Sequence, residues 1–169
     1  MEEFDKYYLK AVTFLSYRPR SVKEVKDNLE KTLAKKKFPE DILTEHRKYI
    51  PLVIEKLLEQ KFLNDTQFAT WWIEQRSRNK PKSKMVLKME LKQKGIPSDI
   101  IEAVMAQEDI QTIADDYTQA KQLVQKKIYK YRELPRIEIY KKLGGFLGRR
   151  GFSWEIAKRS IDEILDDGV

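Results

Sequence analysis

The stretch NKPKSKMVLKMELKQKGIPSDII, residues 79–101, decides the fold of this chain. Ser83 can cap a helix that begins directly after it. Gly95 can end that helix in the left-handed conformation, and Pro97 or Ser98 can open the next one. The stretch therefore predicts two short helices joined by a tight turn, an arrangement like a helix-turn-helix.

A third helix precedes this pair. In the segment 66–78, TQFATWWIEQRSR, Phe68 and Trp72 stand four residues apart and predict one apolar face. The polar residues before the segment supply capping side chains, and the residue before Pro81 is pushed out of the helical region, so the helix ends there. The three helices form a unit of roughly 45 residues, a length typical of helical repeats. The predicted core residues of this unit are Phe68, Trp72, Leu87, Leu91, Ile101, Val104 and Met105.

The same order of signals occurs on both sides of this unit. YRPRSVKEVKDNL (17–29) precedes it, and ELPRIEIYKKL (133–143) followed by RRGFSWEI (149–156) comes after it. No unit is long enough to bury its apolar face alone, so neighbouring units must pack together. We predict an all-α fold of tandem three-helix, helix-turn-helix-like units, stacked into an elongated curved array. The predicted repeats are 1–65 (with an extended third helix), 66–113 and 114–169, and the predicted helices of the outer repeats are 4–17, 21–35, 40–60, 114–131, 135–147 and 153–166.

Composition favours a polyanionic partner. The 169 residues include 34 basic and 27 acidic ones, which gives a net charge of +7 and a pI near 9.4. Such a balance suits nucleic acid or an acidic protein surface. The absence of cysteine excludes disulfides and thiol catalysis. No segment reaches membrane length and the start of the chain does not read as a signal peptide, so we expect a cytoplasmic, monomeric protein without a membrane contact.

Basic residues concentrate around the second helix of each unit, and the third helices are acidic. Within 74–94 there are eight basic residues and two acidic ones, a net charge of +6. Lys84, Lys88 and Lys92 stand at helical spacing and point along one side of their helix, where like charges repel by a few tenths of a kcal/mol per pair. Such a row suits phosphates or a carboxylate-rich groove. A solvated face that only keeps the protein soluble explains the row nearly as well.

The candidate residues for binding a partner or DNA are the basic side chains of these segments and one tryptophan. They are Arg18, Arg20, Arg76, Arg78, Lys80, Lys82, Lys84, Lys88, Lys92, Lys94, Arg149, Arg150 and Trp71. Trp71 falls on the flank of its helix beside the basic segment, where it could stack on an unpaired base. Phe68 and Trp72 belong to the core face, and the positions of Tyr129 and Tyr131 are undecided.

The sequence shows no catalytic set. The glycines of GGFLGRRG (144–151) lack the preceding strand and the Lys-Ser/Thr pair of a P-loop, so they predict a helix break or a close helix contact. His46 is the only histidine and cannot by itself build a zinc site or a triad. The acidic third helices would repel a DNA groove, which argues against base reading. We expect no enzyme activity, no cofactor and no metal.

Four short motifs, in order, resemble those of the RecX regulatory proteins, which restrain RecA. They are RPRS (18–21), LNDTQFA (63–69), KPKSK…L…KGI (80–96) and RRGFS (149–153), and they span nearly the whole chain. The resemblance implies tandem three-helix repeats and a non-enzymatic inhibitor that binds in the groove of the RecA–single-stranded DNA filament. It further implies inhibition of the ATPase, strand-exchange and co-protease activities of RecA, which dampens recombination and the SOS response, with weak, salt-sensitive contacts to single-stranded DNA.

Two other functions also fit the sequence. One is a helical nucleic-acid-binding module, either a transcription factor or a single-strand binder, that acts without RecA. The other is a purely structural helical scaffold. Tight, sequence-dependent binding to duplex DNA would favour the first of these, whereas weak binding without sequence preference fits RecA regulation.

Overall fold

The computed structural model describes residues 2–166; Met1 and the last three residues of the third predicted repeat lie outside this range. The described residues form helices and no strand, as predicted. In chain order the helices are α1 (Glu2–Ser16), α2 (Val22–Ala34), α3 (Glu40–Arg47), α4 (Tyr49–Glu59), α5 (Asp65–Asn79), α6 (Lys84–Gln93), α7 (Ser98–Met105), α8 (Glu108–Ile113), α9 (Asp116–Ile128), α10 (Arg136–Gly148) and α11 (Trp154–Asp166).

Local capping signals set where several helices begin and end. The Ser83 hydroxyl accepts a hydrogen bond from the Val86 N–H at 3.3 Å, and the Asn64 side chain accepts one from the Gln67 N–H at 3.0 Å. Both bonds satisfy N–H groups that have no partner within the helix. Gly95 follows α6 with φ of +80°, the left-handed conformation that glycine adopts without strain. The predicted Ser83 cap and the Gly95 helix end are thus confirmed.

The predicted helix 40–60 is wrong: two helices, α3 and α4, take its place. Pro51 lies in the first turn of α4 and has no N–H to donate to the carbonyl of Arg47, four residues earlier. Its ring would also clash with that carbonyl in a continuous helix. The helix therefore ends at Arg47 and a new one begins at Tyr49.

Three further differences concern α8, α9 and α10. The short helix α8 was not predicted, and it buries Ile110. The predicted helix 114–131 is shorter in the structure, where α9 begins at Asp116 and ends at Ile128. Asp115 caps it, because its side chain accepts a hydrogen bond from the Thr118 N–H at 2.8 Å. The glycine pair at 144–145 does not break α10, which continues to Gly148. A Cβ on Gly144 would lie 2.7 Å from the Trp154 ring, so the alternative prediction of a close helix contact is the correct one there.

The described residues divide into two compact units. The first contains the residues up to 71 together with 91–101, and the second contains 72–90 together with the residues from 102 onward. In the first unit α1, α2 and α4 enclose a core in which Tyr7, Val25, Leu29 and Leu57 are fully buried. The second unit has a core of its own between α9, α10 and α11. Its buried members include Ala120, Val124, Ile139, Leu143, Leu147, Phe152, Ala157 and Ile161.

The start of α2 is tied to two later segments of the first unit. The Ser21 hydroxyl donates a hydrogen bond to the Lys94 carbonyl at 2.7 Å, and the Val22 N–H donates one to an Asp65 carboxylate oxygen at 2.9 Å. Burial raises the pKa of the Asp65 carboxyl, and the bond from Val22 partly offsets this rise. We call the contacts of Ser21, Val22, Asp65 and Lys94 the first clasp.

The start of α6 repeats this arrangement in the second unit. The Ser83 N–H donates to the Arg150 carbonyl at 3.1 Å, and the Lys84 N–H donates to an Asp116 carboxylate oxygen at 2.6 Å. Gly151 approaches the same helix start with φ of +88°, and a Cβ there would lie 2.3 Å from a Val86 methyl carbon. We call the contacts of Ser83, Lys84, Asp116 and Arg150 the second clasp. The two clasps show that the sequence repeat is also a repeat of tertiary contacts.

Candidate nucleic-acid interface

Five cationic side chains surround one phenylalanine in the second unit. The Lys127 ammonium lies 4.3 Å from the centroid of the Phe146 ring, and the guanidinium carbon of Arg150 lies 4.7 Å from it. The same phenylalanine and arginine line a concave surface of about 270 Å³ together with three further cationic residues. We call this set the Phe146 cluster, and its members are Lys80, Lys82, Lys127, Phe146, Arg149 and Arg150.

Three segments bring these residues together. The loop between α5 and α6 supplies the first two lysines, α9 supplies Lys127, α10 supplies Phe146, and the turn after α10 supplies the two arginines. An Arg150 N–H donates to the carbonyl of the buried Pro81 at 3.0 Å, which fixes the loop against the end of α10. The second clasp also holds this loop, through the hydrogen bond from the Ser83 N–H to the Arg150 carbonyl. The cluster thus rests on the contacts that join two repeats.

The cluster has no neutralising carboxylate. Among the residues that the structure describes, no Asp or Glu lies within 4.0 Å of any of its five cationic groups. Cation–π contacts to Phe146 stabilise two of the charges by about 0.5–1 kcal/mol each but do not cancel them. A ligand with several anionic oxygens would neutralise the rest. Consecutive phosphates of a nucleic acid have this chemistry.

Five of the other sequence candidates are held in ion pairs. Lys88, from the predicted lysine row, contacts Glu102 of the acidic helix α7 at 2.7 Å. The remaining pairs are Arg18–Glu24 (2.9 Å), Lys94–Glu24 (2.6 Å), Arg76–Glu90 (2.7 Å) and Arg78–Glu74 (3.8 Å). The acidic partners thus neutralise part of the predicted basic stripe, and the lysine row stays a prediction with one of its three charges compensated.

Three of the remaining candidates differ in their surroundings. Lys92 is exposed, and Lys84 is half-buried beside Asp116, whose carboxyl accepts its backbone N–H. Arg20 lies over the Phe14 ring, with its guanidinium carbon 3.9 Å from the ring centroid. The structure therefore brings together four of the thirteen candidates, Lys80, Lys82, Arg149 and Arg150, and leaves the others outside this cluster.

The structure shows how deeply the aromatic side chains of α5 are buried. Phe68 is buried as predicted, but Trp72 is only half-buried, and its indole N–H donates to Glu90 at 2.9 Å. Its ring also stacks under Arg76, whose guanidinium carbon lies 4.5 Å from the ring centroid. Trp71 is half-buried in the first unit, with the Arg18 guanidinium carbon 5.7 Å from its ring centroid. Trp71 is therefore not a member of the Phe146 cluster.

Sequence reasoning missed Lys127 and Phe146. Phe146 lies in the segment GGFLGRRG, three residues before the candidate Arg149, and this closeness in sequence was the available signal for it. No local signal assigns Lys127 to the cluster, because it lies on another helix.

The described residues also contain no group of three or more His, Cys, Asp or Glu side chains that could hold a metal ion. Among the described helices, none is both long and apolar enough to cross a membrane.

Comparisons with known proteins agree on one family. Residues 64–105 match the family model of the RecX second three-helix domain, and residues 114–161 match that of the RecX third three-helix domain. Together these ranges span more than half of the chain. They confirm the predicted succession of three-helix units for this part of the chain, while the predicted repeat boundaries and the curved array stay predictions.

Individual relatives extend this likeness to most of the chain. The chain is 36% identical to the regulatory protein RecX of Bacillus pumilus over 163 residues, 95% of this chain and 56% of the relative. It is 35% identical to that of Streptococcus pyogenes serotype M5 over 159 residues, 93% of this chain and 55% of the relative.

A solved structure shows the same fold over nearly the whole chain. The crystal structure of RecX from Lactobacillus salivarius matches with a TM-score of 0.68 and 26% identity, over 96% of both chains. The chain spans about half the length of the curated relatives it matches. The two family models, the relatives and the solved structure support one conclusion: this chain belongs to the RecX family of regulatory proteins.

Proposed function

We propose that the protein binds the RecA–single-stranded DNA filament and inhibits its ATPase, strand-exchange and co-protease activities, thereby modulating recombination and the SOS response. The observation that carries this proposal is the match to two successive RecX three-helix domains. The relatives are named regulatory proteins, which agrees with a protein that acts by binding and has no ATPase of its own. In this proposal the protein acts in the cytoplasm as a monomer.

The Phe146 cluster gives the proposal a physical contact. Its lysines and arginines would bind backbone phosphates of the single strand inside the filament, and such contacts position a protein without reading sequence. Each phosphate contact on a single strand lowers the logarithm of the binding constant by about 0.7 for each tenfold rise in salt. The cluster therefore predicts binding that is weak, salt-sensitive and indifferent to sequence.

The decisive experiment is an ATPase assay of RecA on single-stranded DNA with and without this protein. We expect the wild-type protein to reduce the ATPase rate and to hydrolyse no ATP when RecA is omitted. An unchanged RecA rate across a wide range of protein concentration would overturn the proposed function.

Charge reversal tests the part played by the cluster. The double variant Lys82→Glu/Arg149→Glu should need at least about tenfold more protein for half-maximal inhibition, because two phosphate contacts become repulsive. Lys10→Glu/Lys35→Glu is the matched control, since both lysines are exposed and the change in net charge is the same. Circular dichroism should show the same helicity for all three proteins. Equal loss in the control would mean that net charge alone, and not the cluster, drives binding.

The predicted lysine row can be compared directly with the cluster. The triple variant Lys84→Glu/Lys88→Glu/Lys92→Glu should weaken inhibition if the row contacts the filament. If this variant inhibits as strongly as the wild type, the row does not contact the filament.

The second candidate function is nucleic-acid binding without RecA, and the uncompensated charge of the Phe146 cluster favours it as well. Fluorescence anisotropy with duplex and single-stranded oligonucleotides separates the two. Tight duplex binding with a sequence preference would support the alternative, whereas weak binding without preference supports filament regulation.

A further inference from the structure

A second concave surface lies in the first unit, on residues that the Phe146 cluster does not use. It has a volume of about 600 Å³, more than twice that of the concave surface in the cluster. We call it the Trp71 groove. Its lining residues come from α1, from the loop that follows it, and from the end of α4 to the middle of α5.

The floor of the groove is apolar and partly aliphatic. Val12 and Leu15 of α1 line it together with Phe68, which is fully buried, and Trp71, which is half-buried. Phe62 also lines the groove, yet its side chain is 56% exposed. An aromatic residue left this exposed beside an apolar floor is typical of a surface that receives a partner side chain.

The backbone before Phe62 is held in an uncommon conformation. Lys61 has φ of +59°, and it is the one non-glycine residue with positive φ in the described part of the chain. The Phe62 N–H donates to the Leu57 carbonyl at 2.9 Å, which closes the end of α4. A lysine in this conformation costs about 1 kcal/mol relative to glycine, so the turn that presents Phe62 is specified by the packing around it.

The charge of the groove is entirely positive. Arg18 and Arg20 are the charged residues among its described lining, and no carboxylate lines it. Arg18 is paired with Glu24 at 2.9 Å. Arg20 forms no ion pair among the described residues; its Nε–H donates to the Phe14 carbonyl at 3.4 Å, a long bond. Burial, followed by the charge of Arg18, lowers the pKa of the Arg20 guanidinium, and Glu24 only partly offsets this effect.

We propose that the Trp71 groove docks a segment of RecA that carries a large apolar side chain next to a carboxylate. The apolar side chain would lie on the floor between Phe62 and Leu15, and the carboxylate would pair with Arg20. Charge complementarity selects an anionic partner, because the groove offers the Arg20 guanidinium without an ion pair and no carboxylate lines it. The aliphatic side chains of Val12 and Leu15 favour an apolar protein side chain beside that anion. A nucleic acid is the competing occupant, because a base can stack on Phe62 or Trp71 and a phosphate can pair with Arg20, and the oligothymidylate arm of the test below distinguishes the two.

The assignment to RecA rests on the proposed function, but the chemistry of the groove can be tested without RecA. Acetyl-Glu-Leu-Glu-Phe-amide is the acidic, apolar probe, and acetyl-Lys-Leu-Lys-Phe-amide is its matched control. Binding is followed by NMR through the indole N–H signal of Trp71, assigned with the Trp71→Phe variant. We expect a saturable shift with the acidic peptide and at least about tenfold weaker binding of the basic one.

Two variants and two controls locate the binding. Arg20→Gln and Phe62→Ser should each weaken binding of the acidic peptide at least about fivefold. Arg47→Gln and Leu9→Ser change an exposed arginine and an exposed leucine outside the groove and should have no effect. The groove proposal is overturned if the acidic peptide gives no saturable shift, if the basic peptide binds as well, or if a ten-residue oligothymidylate shifts the Trp71 signal and competes with the peptide.

The RecA arm of the test separates the two proposals. Arg20→Gln and Phe62→Ser should weaken inhibition of the RecA ATPase at least about fivefold while leaving oligothymidylate binding within about twofold. If the wild type inhibits RecA and both variants inhibit equally well, the groove assignment fails and the proposed function stands. If the wild type does not inhibit RecA, the proposed function and the RecA assignment both fail, and the peptide titration still decides what the groove binds.

Discussion

A single carboxylate, Glu24, joins three parts of the first unit. Its side chain is 15% exposed, and it accepts hydrogen bonds from Arg18 at 2.9 Å and from Lys94 at 2.6 Å. It also completes the capping box of α2 with Ser21. Burial opposes its ionisation, but the hydrogen bonds and charges of Arg18 and Lys94 outweigh burial and lower its pKa to about 2. Because they pair with Glu24, the binding candidates Arg18 and Lys94 stabilise the first unit.

The lowered pKa of Glu24 predicts a pH-dependent contribution to stability. Because its folded pKa lies below the unfolded value near 4.5, the contribution is fully present above about pH 4.5 and is lost as the pH falls towards 2. Glu24→Gln should lower the free energy of unfolding by roughly 2–3 kcal/mol at pH 7 and by much less near pH 2.5. Urea denaturation at both pH values measures this difference. Glu55→Gln, at an exposed position, should show no such pH-dependent loss, and an equal loss at both pH values would refute the argument.

At the scale of elements, the clasps determine which glycines the fold requires. Gly151 combines a positive φ with a close approach to α6, whereas Gly148, three residues earlier and inside α10, has nothing within 4 Å of an added Cβ. The two glycines are therefore under different steric constraints, although they lie in the same short segment. The clasp needs the first one, and the helix only tolerates the second.

Alanine at these two positions should have opposite effects. Gly151→Ala adds left-handed strain of about 1–2 kcal/mol and a steric clash with Val86, so we expect a loss of roughly 2–4 kcal/mol in unfolding free energy. Gly148→Ala should raise it by up to about 1 kcal/mol, because alanine favours the helix. Thermal unfolding followed by circular dichroism measures both. Similar changes in the two variants would show that the second clasp does not constrain Gly151.

At the scale of the whole molecule, local signals were predictable and long-range charge pairing was not. The Ser83 cap and the Gly95 turn follow from short-range rules. The end of α3 at Arg47 follows from a short-range rule as well, because Pro51 cannot continue that helix. A run of lysines, in contrast, does not reveal which of them meets a carboxylate. Lys94 pairs with Glu24, which lies seventy positions earlier in the chain. For the same reason the sequence could nominate the four charged residues of the loops in the Phe146 cluster but not Lys127.

Net charge and local charge can be separated by their salt dependence. Both Lys82→Glu/Arg149→Glu and Lys10→Glu/Lys35→Glu lower the net charge by four, from +7 to +3. If the five cations of the cluster contact phosphates, the wild-type slope of log affinity for oligothymidylate against log salt should be at most about 3.5 in magnitude. The cluster variant should flatten it by about 1.4, and the control should leave it nearly unchanged. Anisotropy titrations between 50 and 300 mM salt, on the order of one decade, provide the measurement; equal slopes for the two variants would contradict the cluster.

The first clasp also has a consequence for how the chain folds during synthesis. The Ser21 hydroxyl must wait for the Lys94 carbonyl, which is made 73 residues later. At roughly 5–20 residues per second the delay on the ribosome is of the order of 4–15 s. During that interval the Ser21 hydroxyl lacks this carbonyl partner, and the Ser83 N–H likewise lacks its partner until the Arg150 carbonyl has been made. Each clasp is thus completed by a segment that is translated well after the helix start it holds.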